Sequence, residues 1–139
     1  MEKQLQFYLN MGIENLRNFG SVAPVAFIFY GTEMMIHMMN FSDKDLALEN
    51  LRAVCRELKA DKVIFMIESY TSQNLSGIPP SMATDREEAI IVQGENVEGD
   101  SCVIIQPFYH DKKGKIKFKK KVTQLKVSPL GCWSGILKK

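Results

Sequence analysis

The run Val63-Ile64-Phe65-Met66-Ile67, inside an extended segment from Lys62 to Tyr70, places large apolar side chains on both faces of a strand. Two further segments, Val22 to Tyr30 and Ser101 to Tyr109, do the same. Strands of this kind cannot leave one face in water, so a sheet built on them needs cover on both sides. Two helices on opposite faces supply that cover, or a second copy of the chain does. A homodimer burying one sheet face is the expectation, with the first helix or the tail around Trp133 as the competing cover.

The rest of the pattern supplies the helices. Leu5, Leu9, Ile13, Leu16 and Phe19 recur at helical spacing over residues 3–19, and Gly20 follows as a C-cap. Val22 to Tyr30 and Thr32 to Asn40 read as a hairpin around Gly31, where a tight turn needs positive φ. Ser42, ahead of Asp43, Lys44 and Asp45, reads as a variant capping box, with Phe41 placed to staple against Leu46. The helix that follows has the apolar stripe Ala47, Leu51, Val54, Cys55 and Leu58. After the strand ending at Tyr70 comes an uncharged segment, Thr71 to Ala83, rich in Ser, Thr, Gly and Pro. Thr84 and Glu87 have capping-box spacing, so a helical turn is expected before a strand from Glu88 to Gln93. Turn residues at Glu98-Gly99-Asp100 and Asp111-Lys112-Lys113-Gly114 then separate strands at Ser101 to Tyr109 and Lys115 to Gln124.

The fold class that follows is a single α+β domain over residues 1–127 with a C-terminal tail, 128–139. Its element order is α-β-β-α-β-β-β-β, with a mainly antiparallel six-stranded sheet and two main helices. That order also suits a profilin-like or roadblock-like layout, an analogy of topology that carries no function. The N-terminal 20 residues include Glu2, Lys3, Glu14 and Arg17 and so lack the apolar stretch of a signal peptide. No run reaches the roughly 20 apolar residues of a membrane span. Cys55, Cys102 and Cys132 are odd in number and far apart, which suits reduced thiols. A cytoplasmic protein without membrane partners is expected.

Charge is distributed unevenly. Residues 1–110 hold 8 basic and 15 acidic side chains, a balance of −7, and residues 111–139 hold 10 basic and 1 acidic, a balance of +9. Strict alternation over the last strand puts Lys115, Lys117, Lys119 and Lys121 on one face and Ile116, Phe118 and Val122 on the other. Clustered ammonium groups bind phosphates, which points to nucleic acid as a partner. Lysines on an edge strand also keep it from sticking to other strands, and the lack of arginine forks favours this second role.

Glu68 and Arg86 flank the long uncharged segment, with Glu87 and Glu88 beside Arg86. A carboxylate and a guanidinium at a loop rim hold a polar or anionic ligand, or simply pair to anchor the loop. Glu68 with Glu87 or Glu88 is the only carboxylate pairing offered for hydrolase-like acid-base work. Met34, Met35, Met38, Met39, Met66 and Met82 read as core filler more than as a soft binding surface. His37 and His110 have no second ligand at metal spacing, and the glycines form no phosphate loop, so no metal and no cofactor are expected.

The segments Ala60 to Tyr70 and Pro80 to Ala89 together resemble a group of small uncharacterised bacterial and phage-associated proteins. In these a strand ending in Glu-Ala-Trp precedes a variable loop, then Pro-Ser, Asp-Arg and Glu-Ala. Here Ser69-Tyr70 stands in place of Ala-Trp, and Ala83-Thr84 stands where the group tends to have a proline. The resemblance implies positions to watch rather than an activity: Glu68, Tyr70, Ser81, Asp85, Arg86 and Glu87. The missing catalytic motifs and the two-sided apolar sheet lead instead to the expectation of a non-enzymatic binding or assembly module that self-associates, with a protein or small ligand at the loop from Thr71 to Ala83 and Glu68 and Arg86 at its base.

Overall fold

The computed structural model describes residues 1–40, 42–71, 87–125 and 136–137. Helix α1 (Glu2–Phe19) leads into strands β1 (Val25–Tyr30) and β2 (Glu33–Met38), followed by helix α2 (Lys44–Leu58). Strands β3 (Lys62–Thr71), β4 (Glu87–Asn96), β5 (Ser101–His110), β6 (Ile116–Phe118) and β7 (Val122–Leu125) complete the order. All described pairings are antiparallel, in the order β2-β1-β3-β4-β5-β6, and β7 pairs with β5 on the same side as β6. The α+β class and the element order are those expected, except that the last expected strand is two strands.

Local chemistry explains the ends of the elements. Gly20 closes α1 in the left-handed region, at φ 79°, and its N–H donates to Leu16 O. Gly31, at φ 59°, opens a two-residue turn between the paired residues Tyr30 and Glu33, and only this first turn residue has positive φ. The N-cap of α2 is Asp43, whose carboxylate accepts from Leu46 N–H at 3.1 Å. Ser42 therefore lies outside the cap it was expected to form, because the charged oxygen one residue later reaches the same orphan donors. The expected staple residue Phe41 lies outside the described residues. So does Thr84, and Glu87 belongs to β4 rather than to a helical turn.

Alternation along the central strands divides the core in two. Val25, Phe27, Ile64, Met66, Ile90, Val92, Cys102 and Ile104 join Leu5, Leu9 and Leu16 of α1 on one face. Ala26, Ile28, Val63, Phe65, Ile67, Ala89, Ile91 and Val103 join Leu48, Leu51 and Cys55 of α2 on the other. Helix α1 lies over β3, β4 and β5. It approaches closely because Gly94 has no side chain: a Cβ there would meet Leu5 Cδ2 at 2.9 Å. Ile136 is buried in the α2-side core and Leu137 N–H donates to Glu95 Oε1 at 3.1 Å, so the core draws on residues beyond 127. The two helices thus cover opposite faces, and burying a whole sheet face does not require the second copy anticipated from sequence.

Candidate functional site

The two edges of the sheet differ in chemistry, and Pro107 shapes the first of them. In β5, Phe108 pairs with Phe118 of β6, while Ile105 pairs with Val122 of β7. Gln106 and Pro107 therefore oppose Lys119, Lys120 and Lys121, which is a one-residue bulge. Lys119 N–H donates to Pro107 O at 3.0 Å, but proline has no N–H to return. The buried Gln106 side chain takes over that duty: its Nε2 donates to Lys119 O at 2.6 Å and to Pro107 O at 3.1 Å.

The bulge breaks the expected lysine face. Lys117 pairs with Tyr109 on the α2 side, and Lys119 reaches the same side to meet Glu87 at 2.8 Å. Lys121 instead reaches Gln6 of α1, across the sheet. Lys115 sits in the preceding turn, where its backbone N–H donates to Asp111 Oδ1. Ile116 and Phe118 pack on the α1-side core, whereas Val122 lies on the α2 side opposite Ile105 and is exposed. The four lysines therefore do not form one ribbon. One extra residue reverses the alternation on which that expectation depended.

At the far end of β3 the expected site residues separate. Glu68 Oε1 accepts from Val22 N–H at 3.0 Å and so fastens the entry into β1. Tyr70 is partly exposed and pairs with Glu88, on the α1 side along with Glu68. Glu87 points to the α2 side and is taken up by Lys119. Glu68 and Glu87 thus lie on opposite faces and cannot share a proton. Glu88 shares Glu68's face as a diagonal neighbour, about 7–8 Å away, and lies 3.6 Å from His110. Ser81, Asp85 and Arg86, and nearly all of the Thr71 to Ala83 loop, lie outside the described residues. So do Met82 and Trp133. Among the described residues, no three His, Cys, Asp or Glu side chains gather as a metal site, and no helix is long and apolar enough to cross a membrane.

The opposite edge was not singled out from sequence. Among the described residues β2 pairs only with β1. Met39 N–H donates to Pro24 O at 3.0 Å, so the odd-numbered residues of this strand turn their backbone groups toward β1. Met34, Ile36 and Met38 therefore turn their N–H and C=O groups to the open edge. Their side chains stand on the α1 side, opposite Phe29, Phe27 and Val25. Cover from α1 ends between these two strands: Tyr8 stacks on Phe27 at 4.2 Å, leaving Phe27 only 4% exposed, while Ile36 is 57% exposed. Met34 and Met38 are 44% and 62% exposed. Core filler describes Met35, Met39 and Met66, but not these two. The sequence did carry a signal, since Met34, Ile36 and Met38 alternate with Met35 and His37. What it did not carry was the reach of α1.

No protein-family model matches this chain, and neither a curated protein nor a solved structure matches it.

Proposed function

We propose that the protein is a binding or assembly module that takes its partner by strand addition at β2. The observation that carries this reading is the contrast between the edges. The β6–β7 edge is broken by a bulge and carries a run of lysines, which are devices that stop strands from pairing indiscriminately. From Glu33 to Met38 the other edge has no proline, no lysine and no break, and it exposes three large apolar side chains beside free backbone groups. An added strand would satisfy those groups while covering Met34, Ile36 and Met38.

The remaining geometry agrees with a role in binding. Of the carboxylates named for acid-base work, Glu68 accepts from Val22 N–H, Glu87 meets Lys119, and Glu88 lies 3.6 Å from His110. Cys55 and Cys102 are buried free thiols, as a reducing cytoplasmic setting would keep them. The resemblance of the Glu68 to Glu87 region to uncharacterised proteins adds no activity to this reading.

The test is Ile36→Lys. Ile36 is more than half exposed, so the variant should melt within a few degrees of the parent. Its association with itself in sedimentation, or retention of a cellular partner on the immobilised chain, should fall at least about tenfold. Undiminished association in both assays would refute strand addition at β2.

A further inference from the structure

We infer that the strand added to β2 is β2 of a second copy, paired antiparallel about a two-fold axis through Ile36. This deepens the strand-addition reading and rests on it. The outward backbone groups belong to Met34, Ile36 and Met38, three residues spaced evenly about Ile36. With Ile36 opposite its own counterpart, Met34 faces the partner's Met38 and Met38 faces the partner's Met34. Each of these is a pair that exchanges both N–H···O bonds, so every outward group of the strand finds a partner. Slipping the register by two residues would leave one outward residue facing chain beyond the strand end.

Side chains favour the same register. Apolar residues meet apolar residues on the α1 side, where each copy alone leaves them about half exposed. On the other side His37 faces Met35. Glu33, the only residue of the strand with a carboxylate, faces Met39, and the two copies of Glu33 lie about 20 Å apart, beyond effective screening distance. A two-fold axis uses one patch on both copies and leaves no β2 edge open to further growth, so association stops at the dimer. The other edge, with its bulge and lysines, is kept out of the assembly.

The axis makes a particular prediction, because a residue on it meets itself. Ile36→Lys and Ile36→Glu each place like charges in direct opposition and should sediment as monomers, at least about tenfold weaker in association than the parent. An equimolar mixture of the two should sediment as a dimer. In a Cys132→Ser background, Ile36→Cys should form an intermolecular disulfide on mild oxidation, the paired Cα atoms being about 5.5 Å apart. Met34→Cys alone should not, since its counterpart lies about 14 Å away. Circular dichroism melts confirm that each variant is folded. A parent chain that is monomeric up to near-millimolar concentration overturns the second-copy assignment. Strand addition to a different partner would then still be judged by retention of that partner and its loss in Ile36→Lys. A dimer that survives both charge variants, or that the mixture fails to restore, overturns the register.

Discussion

Gln106→Leu removes the donor that replaces the N–H missing from Pro107. In the parent chain Gln106 Nε2 lies 2.6 Å from Lys119 O, and the residue is only 7% exposed. Leucine has nearly the same volume, so little cavity or strain is added. What is lost is the partner of a carbonyl at the bulge, and an orphaned acceptor costs about 1–3 kcal/mol. Lys119 lies on an edge strand within reach of water, and leucine gains some apolar burial, so a net loss of about 1 kcal/mol is expected. The informative experiment is a double-mutant cycle with Pro107→Ala, which restores a backbone N–H facing Lys119 O. In that background Gln106→Leu should cost at least about 0.5 kcal/mol less, a coupling within the range for residues sharing one acceptor. Urea titrations followed by circular dichroism measure all four stabilities, and unchanged slopes would show that the unfolding transition is the same. Equal costs of Gln106→Leu in the two backgrounds would refute the idea that the side chain substitutes for the proline's missing donor.

Two further outcomes follow from the packing. Gly94→Ala would bring a Cβ to 2.9 Å from Leu5 Cδ2, 3.1 Å from Met1 Sδ and 3.3 Å from Ile64 Cγ1, and should cost about 1–3 kcal/mol in thermal or urea unfolding; no loss would mean that α1 is not held that close to β4. Burial, and secondarily the charge of Glu95, push the Cys55 thiol up to about 11 from 9.0. The folded state therefore favours the protonated thiol, so this contribution to stability is complete below about pH 9 and declines as pH rises toward 11. The stability difference between the parent and Cys55→Ala should shift against the parent over that interval, and a pH-independent difference would contradict it.

The sequence carried more of the fold than of the site, and particular residues show why. Hydrophobic period is a local property, so the leucine stripe of α1, the α2 stripe and the two-sided run in β3 were readable directly. Turn chemistry is equally local, as Gly20, Gly31, Gly99 and Gly114 show: all four adopt positive φ where the pattern called for a turn or a cap. The lysine ribbon failed because alternation assumes an unbroken strand. The interruption lies opposite Gln106 and Pro107 on the neighbouring strand, residues that alternation along Lys115 to Gln124 does not involve. Register likewise divides the carboxylates named for acid-base work: Glu87 falls on the face opposite Glu68, while Glu88 shares Glu68's face as a diagonal neighbour.

The β3 strand, apolar on both sides, determined by itself that the sheet must be covered twice, because water cannot solvate those side chains on either face. Only the tertiary structure decided how far each cover extends. Helix α1 is one helix wide and lies over β3, β4 and β5, so it stops short of β2 and leaves Met34, Ile36 and Met38 in solvent. The sequence marked these residues as apolar. Their availability to a partner is a matter of lateral position, which arises from how a helix and a sheet of different widths fit together.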